Sequence, residues 1–289
     1  MKVALVAQRG NPRAVSLVGD VAERLRAADV EVLVDENTSA ELEREAVWSG
    51  ATSPPGPSPE GIAVSEVSAA DLVVSVGGDG TFLFAARGAG TTPIMGVNLG
   101  EVGFLNAVSP EAAVETVLAE VGRIREEGAP RTTKLHRLAA SGPDWTLPPA
   151  LNEVVVQGAR RGPGHGLSVE VRVDGALFSS GHADGVLLAT ATGSTAYNLS
   201  EDGPLVHPAV GGFVLTQMCG VEGTPSLVLE PDQTVTVRVD DTPEAVVVSD
   251  GRIREEVDPP ANVTIERAAE PVYIAGPPLD FFTALGKLD

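Results

Sequence analysis

Only one cysteine, Cys219, occurs in the 289 residues, so an intramolecular disulfide framework is excluded. That thiol and the four histidines do not fall at zinc-ligand spacing, and a reducing cytoplasm is the simplest address for the chain. Lysine is nearly absent, at Lys2, Lys134 and Lys287 alone, which leaves arginine as the main cation. Long apolar runs are missing as well. Charge or glycine breaks each one far short of the roughly 20 residues that cross a bilayer. Met1-Lys2 leads straight into an apparent strand, so neither membrane nor secretory targeting is expected.

Positive charge is scarce overall: 20 Lys and Arg stand against 40 Asp and Glu, a formal net charge of -20. Nonspecific binding to nucleic acid or anionic membranes needs a basic surface, so neither partner is expected. An anionic substrate must be held locally, by backbone N–H groups, a divalent metal or a few arginines. With 43% hydrophobic residues the chain can bury a substantial core, and its length suits two medium domains or one large one.

The first half reads as alternating strands and helices. Val3-Ala4-Leu5-Val6-Ala7 is a continuous apolar run, and Asn11-Pro12 behind it can cap and open a helix. Leu17, Val18, Val21, Leu25 and Ala28 recur at helical spacing before a second strand over Val30 to Val34. Residues 49–60, rich in Gly, Ser and Pro, read as a loop. Leu72 to Val76 is the next buried strand, followed by a helix from Phe82, a strand over Ile94 to Val97, and a helix from about Pro110 to Arg125.

After about residue 130 the period changes. Leu167, Val169, Val171 and Val173 alternate with polar residues and end in Asp174-Gly175. Asp250-Gly251 closes a second hairpin behind Ala245 to Val248, and Val235 to Val239 and Val263 to Ile265 add further strands. No fixed-period repeat or low-complexity tract is present. The expected fold is an α/β nucleotide-binding domain over 1–129 and a β-rich, sandwich-like domain over 130–268. The segment 269–289 is expected to pack back on the first domain, and the active site is expected between the two.

The strongest chemical signal is Val76-Gly77-Gly78-Asp79-Gly80-Thr81. Three glycines between a buried strand and a helix let backbone approach a phosphate closely, and the carboxylate inside the turn can accept a hydroxyl proton or help hold magnesium. No Lys-Ser/Thr pair closes a P-loop, and the glycines do not space as G-x-G-x-x-G. His165, His182 and His207 form no ligand set and are left outside the site.

Gly77-Gly78-Asp79-Gly80-Thr81 resembles the signature of NAD kinases, diacylglycerol and sphingosine kinases and, more loosely, phosphofructokinases. Three further motifs are similar to the NAD kinase series in its usual order: Asn98-Leu99-Gly100-Glu101-Val102-Gly103-Phe104-Leu105, then Leu151-Asn152-Glu153, then Asp184-Gly185 with Thr192-Gly193-Ser194-Thr195-Ala196-Tyr197. The resemblance covers about residues 70 to 210. It implies a kinase that phosphorylates the 2'-hydroxyl of the adenosine ribose of NAD with ATP or polyphosphate, magnesium accompanying the donor, in a homo-oligomer (dimer or tetramer).

By the same resemblance Asp79 is the catalytic carboxylate, and Gly77, Gly78, Gly80 and Thr81 bind phosphates. Phe104 lies against adenine, while Asn152 and Glu153 hold the nicotinamide ribose. Asp184, Thr195, Ala196, Tyr197 and Ser200 line the dinucleotide site. No residue is assigned as a protein metal ligand. The sequence departs from the family pattern at Glu101, His182, Ala191, Glu201 and Asp202. A related kinase acting on another hydroxyl, of a nucleoside-type metabolite or a lipid, and a noncatalytic NAD-binding regulator therefore stay open as alternatives.

Overall fold

The computed structural model describes residues 1–48, 61–100, 103–160, 166–220 and 224–286; the expected loop over 49–60, Glu101 and His165 lie outside the described residues. The chain divides into two compact units, Met1–Lys134 with Val272–Asp289, and Leu135–Pro271.

In the first unit the elements run β1 (Lys2–Ala7), α1 (Pro12–Ala27), β2 (Glu31–Asp35), α2 (Glu36–Trp48), β3 (Gly61–Ile62), β4 (Leu72–Val76), α3 (Asp79–Ala89), β5 (Ile94–Val97), α4 (Ala113–Glu127) and β6 (Thr132–Leu135). The strands form one sheet in the order β3-β2-β1-β4-β5, extended by β18 (Val272–Ala275) and β6. β1 pairs in parallel with β2 and β4, and β5 with β4 and β18. Val3 to Ala7 and Leu72 to Val76 are buried throughout, as strands covered on both faces must be.

Asn11 caps α1, its side chain accepting from the Arg13 N–H at 3.1 Å, with Pro12 in the first turn. Val15, Val18, Val21, Ala22 and Leu25 make its buried face. The helix α2 was not expected from the sequence, because its opening Glu36-Asn37-Thr38-Ser39 is polar. Its start is fixed instead by contacts. The buried Asp35 carboxylate accepts from the Asn37 N–H at 3.1 Å and from the Thr38 hydroxyl, and Thr38 Oγ1 accepts the Ala7 N–H at 2.8 Å. The short helix α6 (Phe281–Leu285) also belongs to this unit, and its Phe281 ring lies 6.0 Å from that of Phe104.

The second unit contains β7 (Leu138–Ser141), β8 (Glu153–Gly158), β9 (Leu167–Val173), β10 (Ala176–Ala183), β11 (Gly185–Thr190), α5 (Tyr197–Ser200), β12 (Phe213–Met218), β13 (Leu227–Leu229), β14 (Val235–Asp240), β15 (Ala245–Ser249), β16 (Ile253–Val257) and β17 (Ala261–Arg267). Two sheets, β10-β9-β14-β17-β7 and β13-β12-β11-β8-β15-β16, bury one core between them. Val169, Val171, Val237 and Ile265 come from the first sheet, and Val154, Val156, Leu188 and Phe213 from the second. The outer face of the larger sheet carries a second cluster, with Val155, Leu187, Ala189 and Val214, against which Tyr197 packs. Both Asp-Gly pairs turn hairpins with left-handed backbone at each residue: Asp174 at φ 48 and Gly175 at φ 80, Asp250 at φ 47 and Gly251 at φ 64.

Candidate active site

Along the first sheet the chain winds one way from β1 to β3 and the other way through β4 and β5, so the winding reverses between β1 and β4. Open α/β sheets bind ligands outside the carboxyl ends of their strands at such a reversal. The turn Gly77 to Thr81 sits there, and the Gln8 N–H at the end of β1 donates to the Val76 carbonyl at 2.8 Å.

The glycines of this turn have different tasks. A Cβ on Gly77 would come within 2.6 Å of Thr81 Oγ1 and 2.8 Å of Gln8 Cβ, so this glycine lets the ends of β1 and α3 close together. A Cβ on Gly78 would meet nothing within 4 Å, so this glycine leaves open space above an extended helix N-cap. Gly80 is exposed, and the Thr81 N–H returns to the Gly78 carbonyl at 2.9 Å. The helix begins at Asp79, three residues before Phe82, because Gly78 caps it and the carboxylate occupies its first turn, where helix N–H groups favour negative charge.

Asp79 is half-buried and held by the loop that carries Phe104. Its carboxylate accepts from Phe104 N–H at 3.2 Å, Leu105 N–H at 3.3 Å and Asn106 Nδ2 at 2.8 Å. A Cβ on Gly103 would run into that carboxylate. Asn106 is fully buried, and sequence reasoning missed it because it follows Phe104-Leu105 without a motif of its own. The half-buried Phe104 ring rests on Phe281 of α6.

The second unit brings together a different group. Asn152 precedes β8 and Glu153 opens it, beside the end of β11, where the Thr190 N–H donates to the Asn152 carbonyl at 2.8 Å. The Thr190 hydroxyl donates to the Leu151 carbonyl at 2.6 Å and accepts the Gly193 N–H at 3.0 Å. A Cβ on Gly193 would collide with the Asn152 carbonyl, so the 3-10 turn Thr192–Thr195 lies directly on the pair. Thr195 Oγ1 donates to the Thr192 carbonyl at 3.1 Å, the Ala196 N–H returns to Gly193, and Tyr197 starts α5, with Ser200 exposed at its end. Asn198 pins this segment, accepting from the Thr216 hydroxyl and donating to the Ser194 and Pro204 carbonyls.

Glu153 is only 5% exposed, and its Oε2 has no hydrogen-bond partner among the described residues. Burial, and next the nearby negative charge of Asp250, push its carboxyl up to about 7, against a smaller opposing effect of the Tyr197 N–H. Asp184 stands apart. It precedes β11 at the end opposite Thr190, its carbonyl accepting from Gly158, roughly 17 Å along the strands from Glu153 at the usual rise per residue. Among the departures from the family pattern, His182 and Asp202 are exposed, Ala191 is buried at the start of the 3-10 turn, and Glu201 follows α5.

Comparison with known proteins assigns both units. The model of the ATP-NAD kinase N-terminal domain matches residues 3–122, and that of the ATP-NAD kinase C-terminal domain matches residues 151–276. An NAD kinase of Haloarcula marismortui is 59% identical over 288 residues, and one of Halobacterium salinarum 53% over 294, each alignment covering 100% of both chains. Among solved structures, an NAD kinase from Archaeoglobus fulgidus in complex with ATP superimposes with a TM-score of 0.72 at 28% identity, covering 100% of this chain and 98% of that one.

Proposed function

The chain belongs to the NAD kinase family, and from that premise we propose that it transfers the γ-phosphoryl group of ATP to the 2'-hydroxyl of the adenosine ribose of NAD, giving NADP and ADP. The observation that carries the proposal is the carboxylate of Asp79, fixed by three donors at the reversal point of the sheet beside the open face of Gly78. A group so placed can take the proton of an attacking hydroxyl while the new O–P bond forms and the bond to the leaving ADP oxygen breaks in line.

Gly77, Gly78, Gly80 and Thr81 are the proposed phosphate-binding residues, and Phe104 offers its face to adenine. Asn152 and Glu153 hold the nicotinamide ribose, one amide and one carboxyl suiting vicinal hydroxyls. Thr195, Ala196, Tyr197 and Ser200 line the dinucleotide site, and Asp184, at the other end of β11, meets a different part of the dinucleotide.

Magnesium fits this donor set only as a companion of the nucleotide. No group of three or more His, Cys, Asp or Glu side chains suited to a metal occurs among the described residues, and Asp79 is the one carboxylate in the turn. Magnesium commonly takes one or two carboxylates and completes its shell with phosphates and water, and there it neutralises phosphate charge. The family resemblance also supports a homo-oligomer, which sedimentation would measure. A cytoplasmic location agrees with the lack, among the described residues, of a helix long and apolar enough to cross a membrane.

The test incubates the purified protein with NAD, magnesium and either ATP or polyphosphate, and reads NADP with an NADP-specific dehydrogenase. NADP formed from ATP supports the proposal. NAD binding without NADP would replace it with the noncatalytic reading, and turnover only on another hydroxyl compound would replace the acceptor.

A further inference from the structure

We propose that Asp250, in the turn between β15 and β16, is the positioning residue for the Asn152–Glu153 pair: its carboxylate gathers the N–H groups of the loop that presents those two side chains. Only the identity of the ligand rests on the function proposed above.

Asp250 Oδ2 accepts from Leu151 N–H at 3.0 Å, and Oδ1 accepts from Asn152 N–H at 2.7 Å and Glu153 N–H at 3.4 Å. The Asp250 N–H in turn donates to the Glu153 carbonyl at 3.0 Å. Thr190 takes the other two carbonyls, Leu151 through its hydroxyl and Asn152 through its N–H. Every backbone polar group of residues 151–153 is thus engaged inside the protein, and only side chains remain to meet a ligand.

The three N–H groups converge on one charged acceptor, and such charge-assisted bonds are stronger than neutral ones. Asp250 is itself 7% exposed, and its charge is offset by the buried guanidinium of Arg137, which feels both Asp250 and Glu270. Arg137 is anchored by its Nε donating to the Glu270 carbonyl at 2.9 Å. A hairpin requirement explains why residue 250 is Asp, Asn or Gly, but not why a carboxylate should reach three N–H groups nearly a hundred residues earlier in the chain. The negative charge also faces Glu153 and favours its protonated form, which can donate as well as accept a hydrogen bond.

Asp250→Asn and Asp250→Gly test this, because both residues accept the left-handed backbone of the turn. Asn keeps one accepting oxygen, and Gly keeps none. The expected result is a KM for NAD raised about 10-fold in the Asn variant and about 100-fold in the Gly variant, within the range for unpaired buried polar groups. The KM for ATP should stay within about two-fold, since a loosened acceptor loop removes only acceptor binding. A general loss of folded protein would instead lower kcat and leave both KM values in place.

Calorimetric titration of NAD gives the same ratios without turnover. Tight NAD binding with no NADP from the wild type would sink the proposed function alone. Equal NAD affinity in all three folded proteins would overturn the role of Asp250 alone; no NAD binding by the wild type would overturn the proposed function alone, and the role of Asp250 would then be overturned by amide hydrogen exchange at Leu151, Asn152 and Glu153 as slow in the Gly variant as in the wild type. If the Gly variant does not fold, the near-isosteric Asn variant decides the matter by the same ratio.

Discussion

Glu153 sits among apolar strands beside a second carboxylate, and its affinity for a proton follows from those two facts. Its folded value, about 7, lies above the ordinary 4.5, so the native state holds a proton that the unfolded chain has released. The stability contributed by this group is complete below about pH 4.5 and is lost as pH rises through about 7, a swing of about 3 kcal/mol. Glu153→Gln, neutral at every pH, should flatten that part of the profile. Urea unfolding at about pH 5 and about pH 8 is expected to differ less in the variant than in the wild type by about 2 kcal/mol or more, and equal pH slopes would contradict the assignment. At this scale motifs singled out Asp79, Asn152 and Glu153 in the sequence. Asn106, Thr190 and Asp250 escaped because their tasks depend on partners distant in the chain, and Asp250 was legible only as half of an Asp-Gly turn.

Strands and helices with a strong period were legible from the sequence in the first half, because buried parallel strands are continuously apolar and α1 keeps its apolar residues on one face. The helix α2 was not, since its first turn is polar and its position depends on Asp35 and Thr38 reaching back to β1. The element that matters most for chemistry is the junction of α3 with the Phe104 loop. A methyl group on Gly103 would meet the Asp79 carboxylate, so Gly103→Ala should displace the loop or the side chain. Misplacement by about 1 Å can cost about 100-fold in rate. Steady-state assays should therefore find kcat reduced by more than about 10-fold, with a far-ultraviolet circular dichroism spectrum like that of the wild type. Unchanged kcat would mean that the contact does not hold the base.

For the molecule as a whole, the net charge of -20 governs behaviour in salt. Like charges repel in the compact state, and raising salt from about 0.1 M to about 1 M shortens the screening length from about 10 Å to about 3 Å. The melting temperature should rise over that range, and the KM for the anionic substrates should fall as repulsion is screened. A melting temperature that drops with added sodium chloride would show that surface repulsion is not the controlling effect. The division into an α/β unit and a two-sheet unit was legible from the change of period near residue 130. For the segment 269–289 the sequence suggested only packing against the first domain; the pairing of β18 within the first sheet was not legible, because a four-residue apolar strand carries no mark of its partner. The role of Asp79 as the base in NADP synthesis is tested most directly by comparing the wild type with Asp79→Asn, both purified and folded, supplied with NAD, ATP and magnesium. The expected result is NADP from the wild type, a loss of about 10² to 10⁴ in kcat for the variant, and NAD affinity little changed. NADP formed by the variant at the wild-type rate would contradict it.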